Sequence, residues 1–310
     1  MENSGLTEPH LEVSVSRRAR VGDIDVRRAL PRKGRRTVGA WCFADHMGPV
    51  DVTERWGLDI GPHPHIGLQT VTWLIDGEAL HRDSLGSEQV ITPGQLNLMT
   101  AGRGVAHAEE ATGHYRGTLQ GLQLWIALPE ETREGPPAFE HHAALPTSDA
   151  GGVVSTVLVG DFKGLVSPAR HDTALVGVDL SLHGSTSLPL RTDFEYALIL
   201  LEGHVAVNGI TLEPGKLGYL HEGLDEIGVD VRNPARAVLI GGEPFPEPIQ
   251  MWWNFVARTR SEIDRAYSSW QSPDGRFGEV SSSLPRITTP APYWQPGSSQ
   301  SAPPSVAEGP

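Results

Sequence analysis

Two short segments, His63-Pro64-His65 and His107-Ala108-Glu109, decide how the rest of this 310-residue sequence is interpreted. In each segment, two residues of metal-ligand type stand at positions i and i+2. Successive side chains of a β-strand point to opposite faces, so residues at i and i+2 share one face. Two such strands side by side in a barrel aim three imidazoles and one carboxylate at a common point. This ligand set suits a divalent transition metal, and one hard carboxylate with open coordination positions favours Fe(II).

A single His-x-His segment is weak evidence for a metal site. The chain contains 13 histidines, and a lone histidine is more often a satisfied core or surface residue than a ligand. The second segment strengthens the prediction because a hairpin pattern separates the two, with Asp76-Gly77 as its turn. Proline cannot donate to a ladder, so Pro64 places its strand at a sheet edge or at a strand start.

The remaining sequence favours turn-rich β-structure. Glycine (35) and proline (25) are plentiful, and few stretches show a helical period. The second half repeats the first, because residues 195–220 can be aligned with residues 69–99. In this register Pro189 and Arg191 replace the first two histidines, and arginine has no acceptor with which to bind a metal. The sequence therefore predicts two tandem β-barrels, with a metal site only in the first.

The sequence predicts five parts of the chain. They are a flexible N-terminus at 1–10, a metal-binding barrel at 11–135, a linker at 136–152, a degenerate barrel with an amphipathic helix at 153–275, and a disordered Ser/Pro-rich tail at 281–310. The helix is predicted at 249–270 from apolar residues at i, i+3 and i+4 spacing. The tail prediction rests on its Ser, Pro and Gly content.

Charge and composition restrict the classes of function. The net charge of -13 argues against direct nucleic-acid binding. No segment has the roughly 18 apolar residues of a membrane span, and no apolar leader is visible, so a soluble cytoplasmic protein is expected. The single cysteine, Cys42, lies in an apolar run and is expected to be a core residue. Residues 17–36 carry nine Arg/Lys, either as an exposed stripe that pairs with the acidic remainder or as a docking surface for an anionic partner.

Other polar residues are assigned structural roles. His46 lies either at the lip of the metal pocket or, as we favour, in a structural position. The segment from His81 to Ser84 is predicted to be a polar loop. The remaining histidines considered are expected to be solvated in the linker or structural in the second barrel; they are His141, His142, His204 and His221.

Several motifs together resemble the pirin family of the bicupin (cupin) superfamily. They are Val26-Arg27-Arg28-Ala29-Leu30-Pro31, Asp45-His46-Met47-Gly48-Pro49, His63-Pro64-His65-Ile66-Gly67-Leu68, His81-Arg82-Asp83-Ser84-Leu85-Gly86, Thr100-Ala101-Gly102-Arg103-Gly104, His107-Ala108-Glu109, Gly241-Gly242-Glu243-Pro244 and Trp253-Asn254-Phe255-Val256. The resemblance implies an all-β chain of two cupin (double-stranded β-helix, or jelly-roll) barrels with a C-terminal helix. The family's four metal ligands fall on His63, His65, His107 and Glu109. Many cupins have an acidic ligand where this chain has Gln69, which is a weaker ligand and, if it faces the metal, orients water or substrate.

The resemblance also implies an activity. Some pirins have quercetin 2,3-dioxygenase activity, in which Fe(II) binds an enol or phenol and dioxygen reacts alongside; zinc, nickel, manganese and copper are the alternative metals. Glu109 is the candidate catalytic base, and the partners are a flavonol-like or other small substrate and dioxygen. The alternative is a metal- or redox-dependent regulatory protein that binds transcription factors or metabolic enzymes without catalysis. A third hypothesis is another metal-assisted reaction on an unidentified metabolite.

Overall fold

The structure, a computed structural model, describes residues 11–53, 57–272 and 275–295, which form 25 strands and one helix. The strands up to residue 150 are β1 (Glu12–Val15), β2 (Arg17–Val21), β3 (Ile24–Leu30), β4 (Trp41–Val52), β5 (Ile60–His65), β6 (Leu68–Asp76), β7 (Ala79–Asp83), β8 (Glu88–Ile91), β9 (Leu96–Thr100), β10 (Val105–Glu110), β11 (Gly117–Ala127), β12 (Ala138–His142) and β13 (Thr147–Ala150). The later elements are β14 (Val153–Phe162), β15 (Leu165–Val166), β16 (Leu175–Leu182), β17 (Thr186–Pro189), β18 (Glu195–Glu202), β19 (Val205–Val207), β20 (Ile210–Leu212), β21 (Lys216–Leu220), β22 (Glu226–Val231), β23 (Ala235–Gly242), β24 (Gln250–Trp252), β25 (Phe255–Ala257) and α1 (Arg260–Gln271).

Two compact units make up the chain. The first barrel unit comprises residues 17–145 and the residues from 245 onward, and the second comprises residues 146–244 and those up to 16. The first unit has a sheet in the order β12-β9-β6-β11-β4-β3-β2 and a smaller one in the order β5-β10-β7-β8. The second unit has sheets in the orders β1-β21-β18-β23-β16-β14-β13 and β17-β22-β19-β20. The predicted all-β fold with tandem barrels and a C-terminal helix is confirmed.

The two units repeat one strand order. In each smaller sheet an edge strand, β5 or β17, is followed in the chain by the third strand of the larger sheet, β6 or β18. This correspondence places Pro189, at the end of β17, in the strand equivalent to the His-x-His segment. The core of the second unit is apolar, with side chains such as Leu180, Leu198 and Leu239 fully buried. The second barrel therefore keeps the fold around an apolar interior.

The boundaries of the predicted first barrel and linker differ from the observed ones. β1 pairs with β21, and Leu11 is buried in the core of the second unit rather than the first. The predicted linker at 136–152 contains β12, which pairs with β9, and β13, which pairs with β14. An alternating pattern predicts a strand but does not say which sheet edge will accept it, because that depends on distant residues.

The helix begins later than predicted and follows a hairpin. Residues 250–257 form β24 and β25, and α1 begins at Arg260. The hydroxyl of the N-cap residue Thr259 accepts a hydrogen bond from the Glu262 N–H at 3.2 Å, which satisfies one of the free donors of the first turn. The i, i+3, i+4 spacing was misleading because buried hairpin positions produced the same pattern. No helical segment in the described ranges has the length and apolar content needed to cross a membrane.

The helix also belongs to the first unit rather than to the second, where residues 153–275 were expected to include it. Its buried residues Ile263, Ala266 and Trp270 share a hydrophobic core with Phe255 and Ile66. Ile66 and Phe255 also form a parallel β-bridge. A segment that is close in sequence to the second barrel thus completes the core of the first, because its apolar face fits there.

The tail was predicted to be disordered, yet residues 281–295 pack against α1. The Trp270 indole donates to the Ile287 carbonyl at 2.9 Å, and the Arg286 guanidinium lies 3.4 Å from the centre of the Trp270 ring. Composition alone misled the prediction because indole and guanidinium groups can bind an irregular backbone. The predictions for residues 1–10 and 296–310 lie outside the described residues.

Candidate metal centre

The three histidines of the two sequence segments lie together inside the first barrel unit. β5 and β10 are antiparallel neighbours, with His107 opposite His63 and Val105 opposite His65. All three imidazoles are buried, and one ligand nitrogen from each lies within 4.8 Å of the others. β5 is an edge strand, as Pro64 requires. The register of two strands therefore brings these three side chains into one cluster.

Backbone carbonyl groups orient two of the rings. Nδ1 of His63 lies 2.9 Å from the Gly61 carbonyl oxygen, and Nδ1 of His65 lies 3.1 Å from the Asn254 carbonyl oxygen. A carbonyl oxygen can only accept, so each Nδ1 carries the proton and donates it. Nε2 of each ring therefore keeps its lone pair, which is the state that a metal ligand needs.

The spacing of the ring nitrogens fits one ion. Nε2 of His65 lies 3.0 Å from Nε2 of His107. Two ligands at right angles on an ion, with metal–nitrogen bonds of about 2.1 Å, stand about 3.0 Å apart. The donor set and its spacing fit a divalent transition metal.

Burial keeps the three imidazoles neutral. Burial lowers the pKa of His63 to about 4, and it lowers the pKa values of His65 and His107 well below the ordinary histidine value. The neighbouring histidines lower these pKa values further. Neutral imidazole is the form that binds metals, so the rings do not need to lose protons at neutral pH before binding.

Glu109 lies beside this cluster but is not part of it. The pairing of β10 with β5 shifts register after His107, which leaves Glu109 opposite Ile60. Burial raises the pKa of the Glu109 carboxyl group to about 7, and a hydrogen bond with Thr72 acts in the opposite direction. The side chain lines the same cavity as two of the histidines. The structure thus brings together three of the four predicted ligands and places the fourth on the adjacent wall.

A cavity of about 320 Å³ adjoins the histidines. One wall is aromatic, because the rings of Phe43 and Trp125 stack with their centroids 4.0 Å apart. Another part is polar, with Gln123 beside Asp45, which accepts hydrogen bonds of 2.8 and 2.6 Å from Arg28. Cavities of this size, with apolar walls and a few placed polar groups, suit small organic ligands.

Part of the basic segment 17–36 is paired within the first unit. The bidentate contact between Arg28 and Asp45 is one example. Arg27 donates to the Gly48 carbonyl oxygen at 2.8 Å. These contacts favour the interpretation of this segment as an internally paired stripe rather than a docking surface.

Two polar candidates near the first segment point elsewhere. On β6, the Thr72 hydroxyl donates to Gln123, which lines the cavity. Gln69 is three residues before Thr72, so its side chain points to the opposite face of the strand, where it donates to Thr100 at 3.0 Å. Along β4, Asp45 lines the cavity, so the adjacent His46 faces away from it. Gln69 therefore does not face the histidine cluster, and His46 has the structural role that we favoured.

His46→Gln is expected to make the free energy of unfolding less sensitive to acid. Burial, followed by the charge of Arg27, lowers the pKa of His46 to about 4 from an ordinary value of 6.5. Between these values the unfolded chain binds a proton that the folded chain does not, so stability falls as the pH is lowered through this window. From pH 7 to pH 5 the wild type should lose about 2 kcal/mol more than the variant in urea denaturation. Equal losses would contradict this assignment. Gln120, whose Nε2 lies 3.1 Å from Nε2 of His46, offers the new side chain a partner.

Sequence reasoning missed His81 and Asp83, which were predicted to lie in a loop. They lie on β7 beside β10, and both are buried. Nδ1 of His81 is 3.5 Å from Nδ1 of His107, and Nε2 of His81 is 3.0 Å from Oδ2 of Asp83. The signal was present in the sequence, because His81 and Asp83 have the same i, i+2 spacing as the two predicted ligand pairs.

The other histidines do not form a second centre. His141 bonds to Asn97 at 2.8 Å and is half-buried rather than solvated, whereas His204 is exposed. His221 pairs with Glu12 at 2.7 Å. Within the described ranges, the three clustered histidines are the one group of three or more potential ligand residues whose ligand atoms meet.

Comparison with known families gives two matches that together cover both barrels. The Pirin family matches residues 23–126, and the Pirin C-terminal cupin domain matches residues 175–278. The first match lies within the first barrel unit, and the second begins in the second unit and continues through α1 of the first. Both matches agree with the resemblance seen in the motifs.

Individual relatives align over most of their length. A Pseudomonas aeruginosa protein named as a proposed quercetin 2,3-dioxygenase is 48% identical, over 88% of this chain and 88% of that protein. A pirin-like protein of Caulobacter vibrioides is 35% identical, over 85% of this chain and 96% of that protein. The crystal structure of a quercetin 2,3-dioxygenase from Acinetobacter baumannii superposes with a TM-score of 0.89 at 44% identity, over 92% of this chain and 97% of that chain. On these matches and on its two cupin barrels, the chain belongs to the pirin family.

Proposed function

We propose that this protein is a metal-dependent dioxygenase of the quercetin 2,3-dioxygenase type. The observation that carries the proposal is the cluster of three buried, neutral imidazoles, oriented beside a cavity of small-molecule size. The names of the relatives from Pseudomonas aeruginosa and Acinetobacter baumannii supply the substrate class, a flavonol. A cytoplasmic location accords with Cys42, a buried free thiol.

We propose Fe(II) as the metal, held by His63, His65, His107 and Glu109. Three imidazoles also suit zinc, nickel or copper, and a carboxylate also suits manganese. The combination of imidazoles with one hard carboxylate and open positions favours Fe(II). When bound, Fe(II) supplies a Lewis acid for an enolic or phenolic oxygen and one-electron chemistry with dioxygen.

The side chains around the cavity would bind and deprotonate the substrate. The stacked rings of Phe43 and Trp125 offer an apolar wall for a flat aromatic ligand, and Trp125 also makes an edge contact with His65, at 5.2 Å between ring centroids. Gln123 offers an amide to a substrate hydroxyl group. Glu109, buried on the same wall, would leave the metal and act as the base that accepts the hydroxyl proton as the substrate binds.

Oxygen uptake tests this proposal. The full chain is loaded anaerobically with Fe(II) and mixed with quercetin and oxygenated buffer, and wild type is compared with His63→Ala. We expect uptake that matches the quercetin consumed, and its loss in His63→Ala, because one of the three imidazoles is removed. His204→Ala, which changes an exposed histidine of the second unit, is the control and should retain uptake.

Two results would contradict the proposal. One is the absence of quercetin-dependent uptake in fully loaded wild-type protein, and the other is equal uptake by His63→Ala. A protein that binds iron without such uptake, and that retains protein partners only in one iron oxidation state, would be a regulatory protein instead.

A further inference from the structure

Two residues of β7 reach His107 from its Nδ1 side. β7 pairs with β10 so that Asp83 lies opposite His107 and His81 lies opposite Glu109. Nδ1 of His107 is 3.5 Å from Nδ1 of His81, and Nε2 of His81 is 3.0 Å from Oδ2 of Asp83. These contacts form a continuous line of hydrogen-bonding groups from the buried Asp83 carboxylate through His81 to His107.

Both residues are held in place by further contacts. Oδ1 of Asp83 accepts hydrogen bonds from the backbone N–H groups of Leu85 at 2.9 Å and Ser87 at 3.0 Å. The His81 ring stacks on Phe139, with ring centroids 4.3 Å apart and planes 14° from parallel. Oδ2 of Asp83 is therefore the oxygen that faces His81, and the His81 ring has little freedom to turn.

The positions of the protons follow from these contacts. A carboxylate oxygen only accepts, so Nε2 of His81 carries a proton and donates it to Asp83. When this is the one ring proton of His81, Nδ1 of that ring has a lone pair and accepts the Nδ1 proton of His107. This leaves Nε2 of His107, which lies 3.0 Å from Nε2 of His65, with a free lone pair available to a metal ion. Asp83 thus selects the tautomer of His107 through its hydrogen bond with His81.

We propose that Asp83 and His81 are positioning residues that hold His107 in the tautomer able to bind the metal. The inference rests on the proposed function, because it assumes that the cluster binds a metal ion. His63 and His65 are oriented by backbone carbonyl oxygens, which side-chain substitution does not remove. Of the three ligands, His107 is the one whose Nδ1 contacts another side chain, so its tautomer depends on residue identity.

Asp83→Asn tests this inference with little change of shape. The backbone N–H groups of Leu85 and Ser87 would hold the amide oxygen of the new side chain, so its NH2 group would face His81. His81 must then accept at Nε2 and donate from Nδ1, which moves the proton of His107 onto Nε2, the ligating atom. We expect the affinity for Ni(II), measured by competition with a chelator on the metal-free full chain, to fall about 10- to 100-fold.

Further variants separate positioning from a general structural role. His81→Phe keeps the stacking on Phe139 but removes both hydrogen-bonding nitrogens, so it should lower the Ni(II) affinity by a similar factor. The double variant Asp83→Asn/His81→Phe should have an affinity no lower than that of the weaker-binding single variant, because both substitutions interrupt the same contacts. Glu110→Gln is the matched control, because Glu110 is a buried carboxylate on β10 that pairs with Arg82 at 2.7 Å. It should bind Ni(II) like the wild type. The Fe(III)/Fe(II) potential of the iron-loaded protein should rise in Asp83→Asn, since an anionic partner is lost.

The outcomes distinguish this inference from the function on which it rests. Wild-type binding that His63→Ala abolishes, combined with unchanged Ni(II) affinity in Asp83→Asn, would overturn the role of Asp83 and leave the metal site intact. The role of Asp83 would also be overturned if Asp83→Asn bound Ni(II) more weakly only in proportion to a lower unfolding midpoint of the metal-free variant, with an unchanged Fe(III)/Fe(II) potential. No Ni(II) binding by the wild type would remove both proposals.

Discussion

Glu109→Gln is expected to reduce quercetin-dependent oxygen uptake by about 100-fold or more, the usual effect of removing a catalytic base. Glutamine keeps the size of the side chain, but its amide cannot take the substrate proton. The three clustered histidines are unchanged, so the variant should still bind Fe(II), with an affinity reduced by the loss of one anionic ligand. The measurement combines the uptake rate with the iron content of the same sample, so that rates are compared per bound metal.

Glu110→Gln is the control for this experiment as well. Glu110 follows Glu109 on β10, so its side chain points to the opposite face, where it pairs with Arg82. The control variant should retain the wild-type uptake rate. Wild-type uptake per bound iron in Glu109→Gln would contradict the role of Glu109 as the base, whereas complete loss of iron would make Glu109 an indispensable ligand.

Phe255→Ala is expected to lower the free energy of unfolding of the first barrel unit by about 3–5 kcal/mol, the usual cost of emptying a buried phenylalanine site. Phe255 is fully buried, stacks at 6.1 Å on Phe277 and forms a β-bridge with Ile66, the residue after the clustered His65. Its removal leaves a cavity between the C-terminal hairpin and the strand that carries two of the clustered histidines.

Tryptophan fluorescence isolates this effect. All eight tryptophans fall within the residue ranges of the first barrel unit, and none lies in residues 146–244. Urea unfolding followed by tryptophan emission therefore reports on the first unit. Ile210→Ala, at an exposed position of the second unit, is the control and should change the free energy by no more than about 0.5 kcal/mol. An unchanged tryptophan transition in Phe255→Ala would show that the C-terminal segment does not stabilise the first barrel.

The candidate site was predictable to the extent that it depended on local periodicity. His63, His65 and His107 were identified because a two-residue repeat places side chains on one face whatever the distant chain does. Glu109 follows the same rule, but its position relative to the cluster depends on the register shift between β10 and β5, which no local pattern encodes. His81 and Asp83 were missed because polar residues between turn signals were interpreted as a loop.

The sequence by itself determined the β-class of the chain, its internal repeat and the three histidines that meet. Only the tertiary structure decided that β1 joins the second unit and that β24, β25 and α1 join the first. It also decided that residues 281–295 pack against the helix and that Asp83 reaches His107 through His81. The physical reason is range: spacing along a strand depends on a few neighbouring bonds, whereas the partner of a strand or tail depends on which apolar surface, far along the chain, it buries best.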